Sequence, residues 1–405
     1  RDVLGSRGLG DVYKRQDLRD LVFESTWTST RAGSADAKDA SFFTRATARF
    51  DNKFNNTPDG KVMTDKRDGS KSSPFYVQTT LERTAARIDL WYEQSNMTEG
   101  KDELVYTISD GDATIARVRL KNAAVVNGMQ KGSYAFKHVT DGFNTTKIIV
   151  CSDETPGQGK PTNYVIEPTT LAKNSGMSPQ PADLYGNTSA DYIRKNADKA
   201  FTAANSMASI LKGGESDAYS ETGLPFDRFT ILGYVNENTE TGTGLTSDYN
   251  TGLVFKAVYQ PTTVYSAYDS GSDALTEDAA YTTGGDFWQY SPTSTATGEK
   301  YNLYFSNAEA AEAYHNAHPE KNGKVTEYAG GVCYYNLWLR HANITDDPHT
   351  PFEMEYAIVR NNIYRVGVSF TGPGTPTPEV REPDNIISRI FVRKWNFRLQ
   401  EIIEI

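Results

Sequence analysis

Every second residue is apolar in one stretch of this chain after another. That period of two restricts the chain to extended strands with one buried face. Ala116, Val118 and Leu120 alternate with Arg117, Arg119 and Lys121. Ala86, Ile88, Leu90 and Tyr92 alternate with Arg87, Asp89 and Trp91, and Leu253, Phe255, Ala257 and Tyr259 with Val254, Lys256 and Val258. The stretch 391–405 repeats the pattern. Phe391, Trp395, Phe397, Leu399, Ile403 and Ile405 fall on one side, and Arg398, Gln400 and Glu404 on the other, with Glu401 and Ile402 out of step. The 24 tyrosines suit half-buried strands joined by polar turns.

The period changes between Ser189 and Lys212. Ile193, Ala197, Ala200, Ala204, Met207 and Leu211 take helical spacing there, and Gly213 and Gly214 supply a stop, so one amphipathic helix is expected on a sheet. A second helix is expected over about 307–317, with Ser306 and Glu309 at capping-box spacing and Pro319 past its end. Many short strands with few helices predict a mainly β chain of sandwich architecture. A length of 405 residues fits two or three domains. A boundary is expected near residue 222, which divides the chain into 17–222 and 223–405. Residues 1–16 have no clear period and read as a non-native leader.

A net charge of −10 without blocks of like charge does not attract phosphate backbones, so no nucleic-acid partner is expected. No apolar run approaches the ~18 residues of a membrane span, and no basic stretch leads into an apolar one as a signal peptide would. Cys151 and Cys333 lie far apart. A bond between them stays open, while the apolar surroundings of Cys333 read as those of a buried thiol. His315 and His318 read as a solvated helix end rather than a ligand pair, and His341 as a structural histidine. The carboxylates of 108–114 and 345–351 lack the ligand series of a calcium loop. The Gly-rich stretches 242–248 and 372–376 lack the lysine of a phosphate cradle. Neither a nucleophile elbow nor a zinc-protease motif is present. The expectation is therefore a chain without catalytic residues, cofactor or metal.

Several stretches resemble the type V fimbrial subunits of Bacteroidota, in particular the Mfa-like major subunits, or fimbrillins. They are "FYVQTTLERTAARIDL" at 75–90, "NYVIEPTTLAKN" at 163–174, and "GYVNENT" followed by a polar loop and "TGLVFKA" between Gly233 and Ala257. "EYAIVRNNIYRVGVSFTGPGTPTP" at 355–378 and "VRKWNFRLQ" at 392–400 complete the series. The sequence departs from the family in lacking a lipoprotein signal and its cysteine, and in lacking the first strand. Both departures fit a chain truncated at its start, and the region before 75 does not align.

The resemblance implies two tandem β-sandwich domains of transthyretin-like, Greek-key type with one or two short helices. It also implies export as a lipoprotein precursor, removal of an N-terminal strand by an Arg-specific protease, and filling of the exposed groove by the C-terminal strand of a neighbour. The donor would be 391–405, with Phe391, Trp395, Phe397, Leu399, Ile403 and Ile405 as its buried side chains. The rival reading keeps this strand within its own domain. Arg31 and Arg45, each followed by Ala, are candidate processing sites, the alternative being a site in a missing N-terminus. The implied partners are other copies, anchor and tip subunits, the protease, and host surface proteins or glycans. The implied place is a fimbrium on the outer membrane. A tip adhesin of the same family and a secreted carbohydrate-binding sandwich are the alternatives.

Overall fold

The computed structural model describes residues 45–47, 76–77, 81–98, 102–129, 133–134, 138–139, 142–143, 165–169, 181–216, 224–239, 247–292, 302–341, 354–379, 385–394 and 403–404. Two sheets face each other. The first is five-stranded, in the order Glu215–Ser216, Arg228–Val235 (β4), Ala86–Tyr92 (β1), Asn362–Phe370 (β12) and Ile386–Lys394 (β13). Its pairs are antiparallel except β1 with β12. The second is antiparallel and four-stranded, in the order Val332–Trp338 (β11), Gly252–Pro261 (β5), Ala113–Val126 (β3) and Leu104–Asp110 (β2).

The alternation in the sequence sets which side chains meet between them. Ile88 and Leu90 of β1, with Tyr364, Val366 and Val368 of β12, are buried against Val118 and Leu120 of β3 and against Leu253, Phe255 and Ala257 of β5. Burial of each such side chain contributes roughly 1.5–3 kcal/mol relative to its exposed state. The molecule is thus mainly β and built on a sandwich. Strands on either side of residue 222 pair in both sheets, β4 with β1 and β5 with β3, and share this core. Sheet partners are chosen by complementary buried faces, which sequence distance does not dictate.

Between β5 and β11 the chain forms a lobe. Its five strands are Tyr265–Asp269 (β6), Ala274–Glu277 (β7), Phe287–Ser291 (β8), Leu303–Phe305 (β9) and Lys324–Tyr328 (β10), in the order β7-β6-β9-β8-β10. The helix Ala308–Ala317 (α4) closes it through Ala310, Ala311 and Tyr314 on Tyr290 and Phe305. The cap of α4 is Asn307, whose side chain accepts from the Ala310 amide at 2.8 Å, rather than Ser306. The long helix expected over 189–212 is broken into Ala190–Lys195 (α1), Ala197–Ala200 (α2) and Met207–Ile210 (α3). Asn196, Asn205 and Ser206 bind nearby backbone in place of helix continuation.

Candidate functional site

The terminal strand β13 lies at an edge of the five-stranded sheet, and among the described residues only β12 pairs with it. Arg365 stands opposite Phe391 and Gly367 opposite Arg389. Phe391 is half-buried, 6.5 Å from the Trp91 ring, with the Arg393 guanidinium 5.4 Å from its own ring centre. Phe391 is therefore paired within its own chain. Further on, Ile403–Glu404 runs antiparallel to Tyr76–Val77. Trp395, Phe397, Leu399 and Ile405 lie outside the described residues, as do Arg31 and Cys151. Arg45 opens a short strand, Arg45–Thr47, opposite Leu81–Arg83.

Arg87 of β1 and Arg393 of β13 flank Ile363 of β12 in one row. The chain thus enters β1 and leaves β13 at the same end of the sheet. The outer face beside this row differs from expectation. Asp89 and Trp91, on the polar side of the alternation, are both buried. The Phe226 ring lies tilted against Trp91, their centres 4.9 Å apart, in a place where a Cβ on Gly367 would collide with it. Asp89 Oδ2 accepts from Arg87 Nη2 at 2.7 Å and lies 3.4 Å from Arg365 Nε. Both guanidiniums lie against the Phe229 ring, at 5.6 and 4.2 Å. Burial pushes the Asp89 carboxyl up, and the two arginines oppose it.

The "NENT" segment, 236–239, forms a buried polar junction at the end of β4. Arg360 Nη2 donates to Glu237 Oε2 and to the Tyr134 carbonyl, each at 2.6 Å, with both charged side chains almost fully buried. Asn238 exchanges backbone bonds with Ile358 and donates its side chain to the Tyr249 carbonyl and to Thr251 Oγ1. Thr239 Oγ1 accepts from the Glu167 amide. The Tyr364 hydroxyl accepts from the Val359 amide and donates to the Ala357 carbonyl, with His341 Nδ1 at 2.9 Å. Six separate stretches of chain meet here, most of them through polar groups removed from water. Such a junction fixes one arrangement when every member is satisfied. Sequence reading found these motifs only as a likeness, since their partners lie far away along the chain.

Cys333 is a free, buried thiol, and burial pushes it up to about 11. His318 is buried, where a solvated helix end was expected. Its Nδ1 lies 2.9 Å from the Tyr314 carbonyl and its Nε2 3.2 Å from Asp273 Oδ1. Among the described residues, no three His, Cys, Asp or Glu side chains converge as a metal site would need. No described helix is long and apolar enough to cross a membrane.

Residues 326–399 match the model of the major fimbrial subunit protein type IV, fimbrillin C-terminal family. The matched stretch takes in β11, β12 and the edge strand β13. Ten solved chains match in structure. A fimbrilin from Porphyromonas gingivalis is 15% identical, with 78% of this chain and 59% of that one covered at a TM-score of 0.27. Proteins described as cell adhesion proteins come from Parabacteroides distasonis and Bacteroides eggerthii. The first is 13% identical, covering 78% of this chain and 60% of that one at 0.24. The second is 12% identical, covering 87% and 69% at 0.25. The chain thus spans about 60% of the first of these, and overlap at this level is too small to transfer shape. Comparison with curated proteins finds no match.

Proposed function

We propose that this chain is a structural subunit of a cell-surface fimbrium, polymerising head-to-tail with copies of itself. The observation that carries the reading is the fimbrillin match over 326–399, which includes the edge strand and runs into the terminal segment. In this reading, an Arg-specific protease, acting at Arg31, Arg45 or upstream, removes an N-terminal strand and opens a groove. The donor is the part of 391–405 beyond β13, with Trp395, Phe397, Leu399, Ile403 and Ile405 filling pockets of the next copy once Ile403–Glu404 leaves its pairing with Tyr76–Val77. An unpaired sheet edge is a template for such a strand: main-chain bonds give affinity, and alternate side chains give fit. Because donor and acceptor surfaces differ, the contact is heterologous and builds a filament unless the rotation closes. Anchor and tip subunits, and a lipoprotein route to the outer membrane, complete the proposal. Neither a cofactor nor an active site is required.

The test treats the chain with an Arg-specific protease and views it by negative-stain electron microscopy. A version ending at Lys394 runs beside it. Rods from the full chain and none from the shortened one are expected. Cleaved, folded chains that both stay monomeric would overturn the stalk reading and turn the search to tip adhesins that bind host protein or glycan.

A further inference from the structure

The outer face of the four-stranded sheet is covered over only part of its length. Ile193 and Phe201 pack on Val126, Val254 and Trp338, and Asn122 donates to the Thr202 carbonyl and to Asn205. Beyond Asn122 the face opens. Ile115 is 40% exposed, Arg117 is exposed, and the side chains of Arg119 and Lys121 are 39% and 36% exposed. A bulge opposite Lys256 and Ala257 turns Lys121 to the same side as Asn122, and Lys256 stands beside them, half-exposed. Arg117, Arg119 and Lys121 follow one another at about 6.8 Å, the repeat of one face of a strand. Glu103 bonds Arg119 and Lys121. Four cations against one carboxylate leave this face at +3, in a chain whose net charge is −10.

The counterpart is on the same molecule. The described residues of the lobe between Tyr265 and Gly331 carry nine carboxylates against two lysines, a net of −7, and Lys321 of the two is buried. Glu309 and Glu312 stand exposed on α4, and Asp269, Asp273 and Glu277 on the β6–β7 hairpin. None of these carboxylates is paired with the basic face within the chain among the described residues.

We propose that the basic sheet face of one copy receives the acidic lobe of another, a second contact between copies besides the exchanged strand. It rests on the reading of the chain as a self-assembling subunit. The partner is a second copy because the complementary charge is built into the same chain, and a patch and its counterpart at different places make a contact that propagates. Complementary fields of this kind speed encounter, set register and weaken with salt.

The full chain is followed by sedimentation velocity at ionic strengths from about 50 to about 300 mM, a range over which screening tightens markedly. Self-association is expected to weaken by roughly tenfold across that range. The double variant Arg117→Glu, Lys256→Glu and the double variant Glu309→Lys, Glu312→Lys should each lose about as much at low salt. Mixed, the two reversed chains should recover association, because the reversed face of one fits the reversed lobe of the other. Circular dichroism checks that each variant is folded. Association indifferent to salt and to both reversals overturns the proposal, as does a mixture no better than its components. Retention on heparin through the basic face without self-association also overturns it, pointing to an anionic polymer instead. Protease-treated rods whose growth ignores salt and reversal leave the filament reading standing and sink only this contact. Salt-sensitive association without rods does the reverse.

Discussion

The buried pair Arg360–Glu237 holds the "NENT" segment to the stretch before β12, and its value depends on both members being present. Removing one member leaves the other charge buried, so Glu237→Ala should cost about 3–5 kcal/mol in urea unfolding. Replacing both by apolar residues should cost much less. Cys333 makes a separate test. Its thiol stays protonated in the fold up to about 11, while the unfolded thiol ionises near 9.0. The native state therefore holds the proton that the unfolded chain releases. This contribution to stability is present below pH 9 and is lost as pH rises through about 11. In a Cys151→Ser background, a thiol reagent at pH 8 should label Cys333 only after denaturant is added. Rapid labelling of the native protein would contradict its burial.

At the scale of elements, the alternations at Ala86–Tyr92, Ala113–Val126 and Gly252–Pro261 were legible because side-chain period is a local property. The broken helix over 189–212 was less so. Spacing reported the buried face of Ile193 and Met207, but Asn196, Asn205 and Ser206 cut the helix through bonds that spacing does not count. Asp89 and Trp91 defeated the polar-outside reading because most of their cover, Phe226 and Arg365, comes from elsewhere in the chain, and Arg87 of the same strand turns its guanidinium onto Asp89. Two substitutions test elements directly. Asn307→Ala removes the cap of α4 and should destabilise by about 1 kcal/mol, read as a lowered Tm. Gly367→Val drives a side chain into Phe226, and should cost about 1–3 kcal/mol and alter the near-ultraviolet signal of Trp91.

For the whole molecule, sheet order was beyond reach of the sequence alone. Parallel pairing of β1 with β12 joins residues nearly 280 positions apart, from Arg87 to Ile363, and no local pattern specifies it. The candidate donor residues were legible as an alternating strand, yet Phe391 serves its own sheet, since the ladder opposite β12 runs on to Lys394. Ending the chain at Lys394 leaves that ladder and the sandwich core whole. Thermal unfolding of the shortened chain should therefore stay cooperative, with a Tm within a few degrees of the full one. A molten, non-cooperative transition would mean that the last residues are part of the core.

The row Arg87–Ile363–Arg393 has a mechanical meaning. The points where the chain enters and leaves this sheet sit two strand spacings apart, about 9.6 Å, at one end. A pull spreading these two points would open the ladders like a zipper, one hydrogen bond after another, instead of shearing them all together. A fibre strung only through these points would be compliant and would yield at low force. Stiffness would have to come from contacts between neighbouring bodies along the fibre.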